Sequence, residues 1–266
     1  MAKTKTIVVQ SDTVGQEDCI TAPQMKDFWR MVGDGTINRR RFQGFLGSPS
    51  KFEPETVTIA RATNTLGSSK VLTVAKVAEV WGMSIPADVP IRYSEEDLRQ
   101  AAAENKAGAD WRLVYFTGQS LREQYAKRGD NTKNQPCFYK SWDWWLKSEQ
   151  DEWANQKPAF GYYLIDFRGR FGRTSWDAQN GEIAKLGSDF LRTHEAVIVE
   201  VAMSFFMATG ERLLKDFYHW GPSLASGGGR VLVGRFGDDG LGVGRYGPVY
   251  GDRAYLRVCL SRKFRS

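Results

Sequence analysis

Side chains able to do covalent or metal chemistry are few in this 266-residue chain. The two histidines, His194 and His219, stand at no metal-ligand spacing from Cys, His, Asp or Glu. His219, between Tyr218 and Trp220, reads as a packed structural residue. The three cysteines, Cys19, Cys137 and Cys259, are widely spaced, contain no C-x-x-C and, as an odd set, give no disulfide framework. Cys259 lies in a strand candidate and reads as a small buried residue. No H-E-x-x-H, G-x-S-x-G or P-loop occurs. Gly240-Leu241-Gly242-Val243-Gly244 lacks the spacing and the strand-to-helix context of a phosphate loop. Asp238 and Asp239 sit among glycines as turn residues, and a calcium ion gathers about six to eight oxygens. The expectation is a chain with no catalytic residues, no metal and no cofactor, and therefore no enzyme.

Recognition is the chemistry the C-terminal part can do. From Gly221 through Arg262 there is no Lys, Glu, Gln, Trp or Met, where ordinary usage gives about nine. Arg, Asp, Tyr, Gly and Val are plentiful there, so neither charge nor aromaticity is avoided. The five missing types share one property: none is reached when the adenines of an AAC or AAT codon are randomised. Tyrosine offers contact area at low entropic cost, arginine a forked donor, and glycine shape. The variable segment is set at about 235–257. Its candidate ligand-binding residues are Arg235, Phe236, Gly242, Gly244, Arg245, Tyr246, Val249, Tyr250, Asp252, Arg253 and Tyr255. Of these Arg245, Tyr246, Tyr250, Arg253 and Tyr255 are the energetic candidates. A plain glycine-rich β-meander is the alternative reading of the same residues.

The motifs RVLVGRF (Arg230 to Phe236) and YLRVCLSRKF (Tyr255 to Phe264) bracket this segment. With ERLLKDFYHWG (Glu211 to Gly221) and SWDAQNGEIAKLG (Ser175 to Gly187), they resemble the C-terminal half of variable proteins of diversity-generating retroelements. The resemblance covers about the last hundred residues. It implies an α+β, C-type lectin-like fold with two helices and short antiparallel strands. It also implies a hypervariable surface for a protein or cell-surface ligand, as in phage receptor-binding, microbial and archaeal-virus members. The related formylglycine-generating branch uses the same Arg-Val-Leu opening and closing strand, here Arg230-Val231-Leu232 and Leu256-Arg257-Val258. Its active-site cysteines have no counterpart except Cys259. The Glu-Pro-Asn, Gln-Pro-Asp and Trp-Asn-Asp motifs of calcium-dependent lectins are absent.

These residues need positioning elements. Thr21 caps a helix carrying Met25, Phe28, Trp29 and Val32 at helical spacing, and a second helix runs from about Ile37 to Leu46, with Phe42, Phe45 and Leu46 apolar. Gly47-Ser48-Pro49-Ser50 reads as a linker or turn. Thr56 to Ala60 alternates like a short strand. Ser94 opens a helix through about Ala103. Trp111 to Thr117 and Tyr162 to Phe167 read as strands, with a helix from Gly118 to Arg128 and a loop from Asp130 to Gln135. Trp142, Trp144, Trp145 and Trp153 read as packing aromatics, with base or sugar stacking as the alternative. Thr174-Ser175 starts a helix ending near Leu186. Thr193 starts a central one, apolar on most sides, with Glu195 in its first turn. Leu213-Leu214, Phe217 to Trp220, Val231 to Val233, Leu241 to Val243 and Tyr255 to Leu260 complete the strands. An N-terminal portion, 1–90 and partly helical, therefore precedes a lectin-like domain at 91–266.

The chain is 41% hydrophobic and 13% aromatic, enough for a core, and carries net charge +6 at a pI near 9.2. That balance, with Arg39-Arg40-Arg41, leaves a nucleic-acid-binding basic protein as the second reading and a formylglycine-generating-like oxidoreductase as the third. The apolar run at Ile7 to Val9 is too short for a signal peptide, and Ala196 to Ala208 is interrupted by Glu200 and too short to span a bilayer. The expectation is cytoplasmic synthesis, with a virion or cell-associated destination compatible, and no membrane insertion.

Overall fold

The computed structural model describes residues 21–47, 57–86, 89–249 and 253–264. Cys19, Ser48-Pro49-Ser50, Thr56, Tyr250 and Asp252 lie outside the described residues. The chain divides into two compact units, Met1–Pro54 and Glu55–Ser266.

In the first unit, α1 (Ala22–Gly33) is capped by Thr21, whose side chain and that of Gln24 form a reciprocal capping box. α2 (Arg39–Gly47) follows, and the Phe28 and Phe42 rings lie 6.2 Å apart. None of α1's residues is buried.

The second unit begins earlier than the sequence boundary near residue 90, because residues 57–86 pack into its core. The described part of the expected strand, Val57 to Ala60, is not a strand. The Thr58 side chain accepts from Arg61 N, which turns the chain into α3 (Ile59–Leu66), and among the described residues of this stretch only Val57 bridges, to Ile91. β1 (Val71–Leu72) and α4 (Val74–Trp81) come next; their residues Val71, Leu72, Val74, Val77 and Trp81 are all buried. α5 (Glu95–Lys106) has the Ser94–Asp97 capping box. β2 (Trp111–Phe116) is buried throughout, and α6 (Leu121–Arg128) starts at Ser120 rather than Gly118, because Ser120 and Glu123 form its cap.

A single turn, α7 (Asp151–Ala154), leads to β3 (Gly161–Arg170). α8 (Trp176–Lys185) is capped by Ser175, and β4 (Phe190–Arg192) precedes α9 (Glu195–Thr209). α9 is capped by His194, not Thr193: the His194 ring nitrogen Nδ1 accepts from Ala196 N at 3.1 Å. Every residue from Glu195 to Phe205 is buried, as a helix apolar nearly all round requires. β5 (Tyr218–Leu224), β6 (Arg230–Gly237), β7 (Gly240–Tyr246) and β8 (Leu256–Arg262) close the fold. Leu213-Leu214 is a buried turn rather than a strand, with Leu214 at φ 62°.

The eight strands form one sheet in the order β1-β2-β3-β8-β5-β6-β7, with β4 also on β8. β3 lies antiparallel on one edge of β8; β4 and β5 share the other, β5 running parallel to β8 through Tyr218↔Leu256 and His219↔Arg257. The unit is thus α+β. Among the described residues no helix is long and apolar enough to cross a membrane.

Candidate functional site

The β5–β6–β7 ladder has two chemically different faces. Val231, Val233, Leu241 and Val243 belong to the main core with α9. The partners across the ladder that alternate with them are Trp220↔Leu232↔Gly244 and Arg230↔Tyr246, so these residues share the opposite face. There a second apolar cluster forms from Trp220, Leu232 and Leu256, with Trp142, Trp176, Tyr218 and Tyr246 packed on it.

Glycines set this face. The G-x-G-x-G run is strand β7, and residues 137–142 lie along it. Leu241 N donates to Cys137 O (2.9 Å), and Tyr139 N donates to Leu241 O (3.0 Å). A Cβ on Gly240 would stand 2.7 Å from the Phe138 backbone, and one on Gly244 would stand 2.6 Å from Trp142 Cζ3 and 2.9 Å from Leu232 Cδ1. On Gly242 it would stand 3.3 Å from the same indole. The bare strand therefore seats the Trp142 ring, which stacks on Tyr218 at 5.5 Å between centroids and 21° between planes. Tyr139 meets Trp142 edge-on at 5.8 Å, and Tyr255 meets Tyr218 at 6.2 Å.

Around these rings opens a cleft of about 640 Å³, lined by Trp142, Lys215, Asp216, Tyr218, Leu232, Arg235, Arg245, Tyr246, Tyr255 and Leu256. A neighbouring cleft of about 420 Å³ shares Trp142, Lys215, Asp216, Tyr218 and Arg235 and adds Tyr139, Gly237, Asp239 and Gly242. Burial pushes the Tyr218 phenol up, while Arg235, hydrogen-bonded to it, pulls the other way. Arg245 lies over the Trp144 ring at 5.0 Å and donates to Ser226 O at 2.9 Å. Trp144 in turn donates from Nε1 to Val243 O at 2.9 Å.

Of the residues expected from the sequence, Arg235, Arg245, Tyr246 and Tyr255 come together in this cleft. Phe236 and Gly244 line neither cleft, and Gly242 lines only the neighbouring one. Phe236 is fully buried, 5.5 Å from Phe206 and under Arg212. The cause is a register shift between Gly234 and Gly237: Arg235, at φ 48°, takes the exposed place, and the next side chain turns inward. Gly242 and Gly244 are buried as the seat of Trp142. Val249 is 78% exposed but outside the cleft linings, and exposed Arg253 accepts from Leu256 N through its carbonyl. Trp142, Lys215, Asp216 and Tyr218 were not among the expected residues. Trp142 was visible only as one of four tryptophans read as packing, and it is half-buried, whereas Trp145 and Trp153 are buried.

Three groups of nucleophilic or acid–base type, His219, Cys137 and Cys259, are withdrawn from solvent. His219 is fully buried and held down to about 3, by burial first and then by Arg257. Cys137 and Cys259 are buried with their thiols pushed up. Asp238 pairs with Arg212 at 3.0 Å. Among the described residues no group of three or more His, Cys, Asp or Glu could hold a metal ion. No protein-family model, curated protein or solved structure matches the chain.

Proposed function

We propose that this chain is a non-enzymatic binding protein with a C-type lectin-like fold, similar to the variable proteins of diversity-generating retroelements, and that the aromatic cleft on β5–β7 is its ligand surface. One observation carries the reading. The segment with the skewed residue types supplies the cleft wall made by Arg235, Arg245, Tyr246 and Tyr255, while its Val231, Val233, Leu241 and Val243, on the same strands, belong to the core. A surface of that kind can change side chains without unfolding its support. The element order supports the fold assignment: α8 and α9 precede β5–β7, and the last strand returns between β3 and β5.

The test lies in the DNA around the gene. The reading expects a near-copy of the bases encoding about residues 235–257, differing at adenines, beside a reverse-transcriptase gene. An intact locus with neither would sink the retroelement part and leave an ordinary binding cleft.

A further inference from the structure

The cleft has two walls of different origin. Trp142, Lys215, Asp216 and Tyr218 come before Gly221, outside the segment of skewed residue types. They face Arg235 and Arg245 from inside it. If the second wall varies, the first does not, and every ligand meets the same Trp142–Tyr218 stack beside the same Lys215.

We propose that this constant wall is a subsite for an acidic polypeptide segment, taking one carboxylate at Lys215 and an adjacent apolar or aromatic side chain against the Trp142–Tyr218 stack. The proposal rests on the binding reading above. Three observations carry it. First, among the described residues the larger cleft sets three cations, Lys215, Arg235 and Arg245, against one carboxylate, Asp216, and the neighbouring cleft adds only one more, Asp239. Among the described residues no carboxylate pairs with any of the three. A ligand surface complementary to this is negative. Second, the stack is held from behind by bare strand at Gly242 and Gly244, so the rings are ordered before a ligand arrives. Third, among the described residues the larger cleft is lined by no Asn, Gln, Glu, Ser or Thr side chain. Sugar hydroxyls need such acceptors in number, whereas a carboxylate beside an apolar group needs donors and aromatic faces, which are what the cleft offers.

The two clefts share this wall and run on past Tyr139 and Asp239, so an extended segment can lie along it. The constant wall would orient a partner chain, and the changing wall would select among partners.

The experiment uses the full chain labelled with 5-fluorotryptophan, the Trp142 resonance being assigned with Trp142→Phe. The probe is a blocked tetrapeptide alternating Glu and Phe; the controls replace Glu by Gln or by Lys. The expected result is a saturable shift of the Trp142 resonance with a Kd on the order of 1 mM for the acidic peptide and weaker binding of both controls by about fivefold or more. Lys215→Ala, a change at an exposed residue, should weaken the acidic peptide by about fivefold. Lys185→Ala, on α8 and outside the cleft, should leave it unchanged. Equal binding of the Glu and Gln peptides, full binding by Lys215→Glu, or no shift up to about 10 mM peptide would overturn the acidic subsite. Those outcomes leave the cleft's variable wall intact as a reading, which is judged separately by the flanking DNA.

Discussion

Gly244 shows how a residue with no side chain can organise a site. It leaves no room for a side chain between Leu232 and the Trp142 ring, since a Cβ there would stand within 3 Å of both. Gly244→Ala puts a methyl carbon 2.6 Å from Cζ3, so the indole must move off the strand. Overpacking of this kind costs about 1–3 kcal/mol, and the cost should appear as a lower urea midpoint with a displaced Trp142 resonance. An unchanged midpoint and spectrum would mean that Trp142 is not seated there. Glu200 gives a second prediction at this scale. Its carboxylate is buried in α9 and accepts from Thr117 N at 2.6 Å, Thr117 Oγ1 at 2.8 Å and Gln119 Nε2 at 3.2 Å. Burial nevertheless raises it from 4.5 to about 7. The folded state therefore holds the proton more tightly than the unfolded chain. The resulting stability is fully present below about pH 4.5 and is lost as pH rises through about 7. The loss between pH 4.5 and pH 8 is about 3 kcal/mol. Urea unfolding across that range measures it, and Glu200→Gln should flatten the profile.

Among the elements, α9 carries the largest share of the core, and it was visible in the sequence because its apolar residues leave almost no polar face. Phe205 is 1% exposed on it. Phe205→Ala should cost about 3–5 kcal/mol, read from the unfolding midpoint. Phe206 is different. Its ring is half-buried between Phe236 and Arg212, because it lies near the end of the helix where the buried run stops. The long strands β2 and β3 and the capped helices α1, α5 and α8 were legible for local reasons: β-branched and aromatic runs, and Thr or Ser at the caps. The stretch 57–86 was not. Its elements are short, and a single side chain, Thr58, decides between strand-like alternation and a helix start. The site was half legible for a similar reason. Residue-type bias pointed to Arg235, Arg245, Tyr246 and Tyr255. Trp142 and Lys215 are brought to them only by the pairing of residues 137–139 with β7 and by the turn before β5, neither of which leaves a periodic signal. The same bias also placed Phe236 with the binding residues, and the register shift between Gly234 and Gly237 turns it into the core.

The second unit joins a packed core to a face that carries exposed side chains. Arg245, Val249 and Arg253 are exposed, and surface changes usually cost within about 0.5 kcal/mol each. Their joint replacement by Ser should lower stability by no more than about 1.5 kcal/mol, checked by thermal melting. Calcium should not matter either. Asp238 is engaged by Arg212, so melts in millimolar calcium and in excess chelator should superimpose. An upward shift with calcium, abolished by Asp238→Ala, would revive a lectin-type metal site. The central claim is that this face varies while its support does not, and sequencing many copies of the gene from one population tests that claim directly. The account predicts replacements concentrated at Arg235, Arg245, Tyr246 and Tyr255, with Phe236, Gly242, Gly244, Trp142 and Lys215 constant. Replacements spread evenly along the chain, or falling on Trp142 and Gly244 as often as on Arg245, would contradict it.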